Sequence, residues 1–488
     1  MKRYASLLVT AIALTGVAAF SSKAHTQQND QRASMLAPQY RVDADWPKPL
    51  PNNWQMGQVA GISVGPDDNI WVLHRPRTLS SSEAGATQAH PGLFVCNAGG
   101  QPVEKTASCS EGDEFDQPVP ADAFGHPRPH GPVSDNSIPA PAILKFDRDG
   151  NLLDAWGGPR HHGNNWNWPD PVWDEASGTT CQWPANEHAI HVSDQGKVYI
   201  AGNGQGDGST SVAMNDTGWD GQVLKLSQTG TCELQVGAPL GDGEPEELAN
   251  SNATGGGVNG TPQLFRPANM HVDGGDLFIA DGYGNRRVVV VDKATGQYKR
   301  HWGAYGDVEI EDQMPGPAAE DRPLADSRPG QFRTPVHCVR IADDGRIYVC
   351  DRVNNRIQVF NQQVGQKQGG CTDPRKTEKN GCGFLFEKYI RADTLGPGSV
   401  WDLALSPDRE QSCVHQADGS NQRVNTLYRP TLEVLDTFGE SGQLAGAFHW
   451  VHDIAVDTQG NLYTSEVDIG KRAQKFVRVG RRTCRSSS

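Results

Sequence analysis

Amphipathic runs of helical period, an excess of basic residues and, after residue 24, long apolar runs are all missing from this sequence of 488 residues. The lack of amphipathic runs, together with 55 glycines and 32 prolines, argues against a helical protein. The net charge of −14 leaves no basic face for phosphate groups, so nucleic acid is not expected as a partner. Short strands separated by turn residues predict instead an all-β propeller or sandwich.

The one long apolar run stands at the start of the chain. It extends from Leu7 to Phe20, follows Lys2 and Arg3, and leads to a small-x-small site that ends at Ala24. This pattern predicts a signal peptide over residues 1–24. No cysteine stands nearby to carry a lipid, so we expect no membrane anchor and a secreted or periplasmic protein.

All ten cysteines follow this segment, and an oxidising compartment allows them to pair. We predict a bond between Cys338 and Cys350 across a hairpin and another between Cys371 and Cys382 around a loop. The sequence leaves the remaining connectivity open.

A repeated unit organises the chain. Residues Thr334 to Phe360 (TPVHCVRIADDGRIYVCDRVNNRIQVF) predict strand, tight turn, strand, polar turn and strand. The same pattern recurs at Pro267 to Asp292 and at Val451 to Val477. Such units do not bury their faces alone, so we expect them to pack side by side.

Six units predict a six-bladed β-propeller over residues 57–480, with long loop insertions, the largest at about 76–142. The blades are expected to begin near Gly57, Asn186, Phe265, Thr334, Ser399 and Phe448. Residues 25–56 form an N-terminal segment whose strand at Gln39 to Val42 is predicted to join blade six and close the ring. Residues 481–488 are a C-terminal tail.

Alignment of the six innermost strands gives a candidate metal site. One position early in these strands reads Ala60, His188, Ala268, His337, Trp401 and His452. Histidine therefore occurs on every second blade, and three such side chains would meet on the axis of a six-fold ring.

Three neutral nitrogen ligands with an open fourth position are typical of catalytic zinc, which we predict here. Iron, cobalt and copper remain open, because the same nitrogens bind them. The alternative interpretation is a set of channel histidines that are hydrogen-bonded to water. The alternation favours the metal. Ala60 and Ala268 leave room for a substrate.

A second position predicts further polar groups at the same mouth. Because the first two strands of a blade are antiparallel, residues just after strand two return beside the start of strand one. Arg75 and Arg352 take this place in blades one and four, and Tyr283 lies close to it in blade three. Two guanidiniums and a phenol would bind a carboxylate and move a proton.

The repeat, in the form x-G-x-(I/L)-Y-V-x-D-x-x-N-x-R-(I/V)-x-V-F, resembles the NHL repeat. The segments HAIHVSD, DGYGNRR, VCDRVNNRIQVF and VHDIAVD, in this order, resemble the peptidyl-α-hydroxyglycine α-amidating lyase family. The similarity covers the inner hairpins from about Gly57 to Phe476.

The resemblance implies roles for particular residues. His188, His337 and His452 match the zinc ligands, Tyr283 matches the general base, and Arg75 and Arg352 match active-site arginines. The implied reaction cleaves a peptidyl-α-hydroxyglycine to a peptide amide and glyoxylate. The resemblance also implies a structural calcium, bound by the Asp453 carboxylate and the main-chain oxygens of Ile62 and Ile190.

Three positions depart from the family pattern. Trp450 stands where the family has methionine, and Gly284 and Tyr348 stand where it has cysteines. The larger Trp450 would narrow or redirect the pocket, which permits a different substrate on the same scaffold.

The leading prediction is a secreted, monomeric zinc lyase that acts on a small-molecule or peptide substrate. One alternative is another metal-dependent lyase or hydrolase on the same propeller. A calcium-type lactonase is disfavoured, since the inner strands present imidazoles where acidic and amide ligands would be needed. The other alternative is a non-catalytic secreted propeller that binds protein or glycan.

Overall fold

The structure is a computed structural model. It describes residues 36–51, 54–79, 138–158, 173–174, 179–204, 219–240, 256–307, 330–365, 383–481 and 483–486. In these ranges, no helix has the length and apolar character required to cross a membrane. The predicted Cys371–Cys382 pair lies outside them.

The chain forms a six-bladed β-propeller, as predicted. Each blade is a four-stranded antiparallel sheet, and in blades one to five the strands follow one another from the axis outward. Blades one to three consist of Gln58–Val64, Ile70–Arg75, Ile143–Phe146 and Leu152–Trp156; Glu187–Val192, Val198–Gly202, Gln222–Leu226 and Cys232–Gly237; and Asn269–Asp273, Asp276–Asp281, Arg287–Asp292 and Tyr298–Trp302. Blades four and five consist of Val336–Ile341, Ile347–Asp351, Arg356–Phe360 and Phe384–Tyr389; and Asp402–Leu405, Cys413–Asp418, Arg423–Tyr428 and Glu433–Phe438.

Blade six combines the two ends of the described chain. Its inner strands are Val451–Val456, Leu462–Glu466 and Arg472–Val479, and its outermost strand is Gln39–Asp43. Because the N-terminal strand pairs with a C-terminal one, opening the ring requires breaking a full strand pair. Of the described strands, Trp54–Gln55 pairs with Ile138–Pro139 and Trp173–Asp174 pairs with Thr179–Thr180 in short sheets outside the blades. In the described parts of the chain, 3-10 turns occupy Pro76–Thr78, Val258–Gly260 and Ala304–Gly306.

The hydrophobic core is divided among the contacts between blades. Among the described residues, the six largest clusters of buried side chains each join two neighbouring blades around the ring. Phe278 of blade three, for example, shares its cluster with Val349 of blade four. Each fully buried side chain of this size contributes about 1.5–3 kcal/mol, so every blade depends on both neighbours.

A buried ion pair explains the Asp-x-x-Asn-x-Arg part of the repeat. Asp351 ends the second strand of blade four, Arg356 begins the third, and Nε of Arg356 donates to the carboxylate at 2.6 Å. Blade three repeats the pair with Asp281 and Arg287 at 2.9 Å. Asn354 adds its amide to the Asp351 carboxylate, so the turn between the strands is held by side chains.

Three disulfides occur among the described residues. The predicted bond between Cys338 and Cys350 is confirmed, and it crosses the hairpin of blade four. The other bonds join residues that are distant in sequence, Cys181 with Cys232 and Cys413 with Cys484.

Acid is expected to destabilise the fold through His415. The His415 side chain is buried, and its Nε2 lies 3.1 Å from Oη of Tyr40 in the closing strand. Burial lowers the pKa of His415 to about 3, below its unfolded value of about 6.5. Its contribution is therefore complete above pH 6.5 and is lost as the pH falls, because the unfolded chain then binds the additional proton. Between pH 6.5 and 5 the unmodified chain should lose about 2 kcal/mol more than His415→Gln, measured by denaturant unfolding. Parallel pH profiles for the two proteins would contradict this.

Candidate metal centre

Three imidazoles meet on the propeller axis. His188, His337 and His452 are buried, and one ring nitrogen of each lies within 4.8 Å of those of the other two. Their ring centroids are 4.7–5.1 Å apart. The histidine side chains of every second blade therefore converge, as predicted.

β-Bulges accompany this convergence. The strand register shifts at His188, His337 and His452, so each of them falls between two regular pairs with the second strand. Ala60 of blade one lies at a bulge of the same kind. A bulge redirects the side chain of its extra residue, which here permits the imidazole to face the axis.

The intervening blades orient the imidazoles through their carbonyl groups. Nδ1 of His188 donates to the Ala268 oxygen at 2.7 Å, and Nδ1 of His452 donates to the Ala60 oxygen at 2.7 Å. His337 donates in the same way to the Trp401 oxygen at 2.6 Å.

Because a carbonyl only accepts hydrogen bonds, each ring carries its proton on Nδ1 and presents a lone pair on Nε2. Such outer hydrogen bonds fix metal-binding histidines in the required tautomer.

The surroundings keep the imidazoles neutral. Burial lowers the pKa of His188 and His337 well below the usual value, and it lowers the pKa of His452 to about 3. Neighbouring positive charge acts in the same direction, from Arg352 on His337 and from Arg75 on His452. The Nε2 atom of His337 is buried without a hydrogen-bond partner among the described residues. A buried lone pair in this position suits a metal ion.

Tyr283 and Arg352 lie beside the imidazoles. Oη of Tyr283 is 3.1 Å from Nε2 of His188, and Nη1 of Arg352 donates to the same Oη at 3.0 Å. Arg352 also stacks on Trp401, with Cζ 4.4 Å from the ring centroid. The structure thus brings the phenol, one predicted arginine and the histidines together.

Arg75 is held at the junction of blades one and two. Its Nε donates to the main-chain oxygen of Glu187 at 2.6 Å, and its Nη1 donates to Oε1 of Gln58 at 2.8 Å. Arg75 lowers the pKa of both His188 and His452, so its charge acts at the site. The adjacent His74 is buried in blade one, where Nδ1 accepts from Gly57 and Nε2 donates to Pro141, so its role is structural.

The predicted calcium position has a different environment. Asp453 accepts from the N–H of Ile62 at 3.2 Å and lies 3.4 Å from the Arg340 guanidinium, which also binds Asp402. Burial and the Asp402 carboxylate raise the pKa of Asp453 well above its usual range. Arg340 thus supplies one positive charge for two carboxylates, those of Asp402 and Asp453. Calcium at Asp453 and the main-chain oxygens of Ile62 and Ile190 stays a prediction.

Two of the departures have structural explanations. A Cβ at Gly284 would lie 2.1 Å from the Phe265 ring, so the phenyl group fills the space that a side chain would need. Tyr348 is buried, and its Oη accepts from Arg429 at 3.3 Å. Trp450 packs edge-to-face on Trp401 with ring centroids 5.2 Å apart, and Trp401 in turn contacts two of the site histidines.

One arginine near the site escapes the alignment of the second strands. Arg266 lies two residues before Ala268, and Cζ of Arg266 is 5.6 Å from the centroid of the Tyr283 ring. Trp450 has the corresponding place two residues before His452. An alignment extended by two residues toward the N-terminus of each inner strand would therefore find both.

The fold and the site together define the class: a six-bladed β-propeller with three histidines on its axis. Residues 336–360 match the NHL repeat. This chain is homologous to peptidyl-glycine alpha-amidating monooxygenases B and A of Xenopus laevis. The identity is 27% and 33%, respectively, over 207 residues, or 41% of this chain. The matched regions span only 19% and 18% of those two proteins.

A human protein and two solved structures are also similar. NHL repeat-containing protein 3 of Homo sapiens is 28% identical over 225 residues, 44% of this chain and 50% of that protein. A streptogramin B lyase structure matches with a TM-score of 0.40 and 10% identity, covering 92% of this chain and 99% of the other. Virginiamycin B lyase from Staphylococcus aureus matches with a TM-score of 0.37 and 10% identity, covering 88% and 82%.

Proposed function

We propose that the chain is a zinc-dependent lyase that cleaves the C–N bond of an N-acyl- or peptidyl-α-hydroxyglycine, yielding an amide and glyoxylate. The observation that carries this proposal is a three-imidazole cluster with a Tyr–Arg pair hydrogen-bonded to one of its rings. The homology to amidating monooxygenases supports it, although the matched region is less than a fifth of those proteins.

The donor set fits a catalytic zinc ion. His188, His337 and His452 would hold it through their Nε2 atoms and leave a coordination position for substrate. When bound, zinc would supply Lewis acidity toward the substrate hydroxyl group.

Tyr283 is placed to move the proton of that hydroxyl group. Its Oη adjoins the histidine cluster and accepts a hydrogen bond from Arg352, so a phenolate would form beside a guanidinium. A positioned base of this kind contributes about 10²–10⁴-fold to a rate. Arg352 is itself held by the Trp401 ring, which limits its rotation.

The bonds and protons balance without another reagent. The hydroxyl proton passes to Tyr283, and the O–H electron pair forms the C=O bond of glyoxylate. The C–N bond breaks, and its electron pair stays on the amide nitrogen. Tyr283 then returns the proton to that nitrogen, which restores the starting state.

The indole rings of Trp401 and Trp450 form one wall of the site. Trp450 has a φ of 54°, a left-handed conformation that is uncommon for a bulky residue. Such strained residues occur often at ligand sites. We infer that this wall contacts the acyl group of the substrate.

We further propose that the protein works outside the cytoplasm as a monomer. The three disulfides support an oxidising compartment, and the closing strand Gln39–Asp43 completes the ring within one chain. Its partner would be a small-molecule or peptide substrate.

Replacement of Tyr283 by phenylalanine tests the proposed proton transfer. The unmodified zinc-loaded protein should release glyoxylate from N-benzoyl-α-hydroxyglycine, and kcat should fall about 10²–10⁴-fold in Tyr283→Phe. Zinc content should stay unchanged, since the phenol is not a ligand in this scheme.

Tyr298→Phe is the matched control. Tyr298 also forms a hydrogen bond with a histidine, its Oη being 2.8 Å from Nδ1 of His301. Tyr298 lies on the outer strand of blade three. This variant should keep full activity. Absence of glyoxylate from the zinc-loaded unmodified protein would refute the proposed reaction.

A further inference from the structure

Arg266 lies at the rim of the candidate site, close to Tyr283. Its Cζ is 5.0 Å from the centroid of the Trp219 ring and 5.6 Å from that of Tyr283. The main chains are linked too, because the Tyr283 N–H donates to the Arg266 oxygen at 3.1 Å. Arg266 is thus part of the wall that contains the phenol.

The hydrogen bonds of Arg266 leave its terminal nitrogens available. Nε donates to the main-chain oxygen of Asn203 at 2.8 Å, which fixes the direction of the side chain. Within the described ranges, no acceptor engages either Nη atom. A guanidinium with two open Nη groups matches the two oxygens of a carboxylate.

The two other arginines of the site are more fully engaged. Arg352 gives Nη1 to Tyr283 and stacks on Trp401. Arg75 gives Nε to Glu187 and Nη1 to Gln58. Neither presents both terminal nitrogens as freely as Arg266.

The local environment of Arg266 favours an anionic ligand. Burial lowers its pKa, while the neighbouring Tyr283 and Asp220 oppose this effect. Asp220 is committed elsewhere, since its carboxylate accepts from the N–H groups of Ala185, Asn186 and Gly204. The φ of Arg266 is 55°, another left-handed conformation at the rim of the site.

We propose that Arg266 binds the carboxylate of the substrate, so that the enzyme selects N-acyl-α-hydroxyglycines with a free carboxylate over their esters. This inference rests on the proposed function. It makes Arg266 a residue that positions and selects the substrate, whereas Tyr283 moves the proton.

The test compares Arg266→Gln and Arg266→Lys with the unmodified zinc-loaded protein. Binding of N-benzoylglycine, which has the carboxylate but no hydroxyl group to react, is measured by calorimetry. We expect Arg266→Gln to weaken it about 10- to 100-fold, the usual effect of losing charge-assisted hydrogen bonds. Lysine keeps the positive charge but lacks the planar guanidinium group. The affinity of Arg266→Lys for N-benzoylglycine should therefore lie between those of the unmodified protein and Arg266→Gln.

Steady-state kinetics give a second reading. For N-benzoyl-α-hydroxyglycine, Arg266→Gln should raise KM about 10- to 100-fold with kcat within about threefold. For the methyl ester the same variant should change KM less than about threefold.

Arg300→Gln is the matched control. Arg300 also stacks on an aromatic ring, with Cζ 5.4 Å from the Phe278 centroid, and it pairs with Asp276 on the same blade away from the axis. The Arg300→Gln variant should bind N-benzoylglycine and N-benzoyl-α-hydroxyglycine as the unmodified protein does. Equal affinity of Arg266→Gln and Arg300→Gln for N-benzoylglycine would overturn the inference, even if the unmodified protein released glyoxylate. Loss of N-benzoylglycine binding in Arg266→Gln alone would support it, even if the unmodified protein released no glyoxylate.

Discussion

Replacement of His337 by alanine should remove one of three metal ligands and lower zinc affinity more than about 100-fold, beyond the 10- to 100-fold cost of losing an outer hydrogen bond. The reason is geometric. The three Nε2 atoms form a cluster that two imidazoles do not complete, and no other histidine, cysteine or carboxylate group joins the cluster in the described ranges. Zinc content after dialysis against a competing chelator measures the effect.

His415→Gln is the control for this experiment. His415 is as deeply buried as His337, but it lies in blade five beside Tyr40 and away from the cluster. Its replacement should leave one zinc ion bound per chain. If His337→Ala retained a full equivalent of zinc after the same dialysis, the three-histidine site would be refuted. Retention of the fold in His337→Ala is checked by circular dichroism.

The sequence was sufficient for the ring and for the three histidines because both follow from repetition. Six similar hairpins imply six equivalent first strands, and equivalent positions on them face the same axis. The positions of His188, His337 and His452 in alternate repeats are then enough to predict that their side chains converge, without any measured distance. The proposal that zinc binds there is a separate step, which rests on the chemistry of imidazole.

The orientation of the imidazoles was not accessible in the same way. A β-bulge is a local shift in pairing, and nothing in the residues of HAIHV or PVHCV marks it. The carbonyl groups that receive each Nδ1–H come from Ala60, Ala268 and Trp401, whose side chains carry no signal of this role.

The disulfides divide along a similar line. Cys338 and Cys350 face each other in a hairpin, so a local prediction succeeds. Cys181–Cys232 and Cys413–Cys484 span 51 and 71 residues, and their proximity depends on how the blades and the C-terminal segment pack. Arg266 was missed for another reason, because it precedes the inner strand and the alignment began inside it.

The Asp and Arg of the repeat motif form a buried ion pair in blade four, and its loss should have a large effect on the free energy of unfolding. Arg356 is fully buried together with Asp351, and it also donates to Oη of Tyr305 at 2.7 Å and to Glu387 at 3.1 Å. Arg352, which follows Asp351 directly, carries the hydrogen bond to Tyr283. The ion pair therefore holds the strand end that presents Arg352 to the candidate site.

Arg356→Met should lower the free energy of unfolding by about 3–5 kcal/mol, because it leaves the Asp351 carboxylate buried without its counter-charge. Asp351→Asn combined with Arg356→Met should recover part of this loss, since the uncompensated charge is then gone. Denaturant unfolding provides the measurement.

Arg346→Met is the matched control in the same blade. Arg346 and Asp344 lie 3.6 Å apart, and their side chains are 42% and 40% exposed. Loss of this exposed pair should change the free energy of unfolding by no more than about 0.5 kcal/mol. If Arg356→Met were no more destabilising than Arg346→Met, the recurrence of an Asp–Arg pair in blades three and four would need a cause other than a buried ion pair.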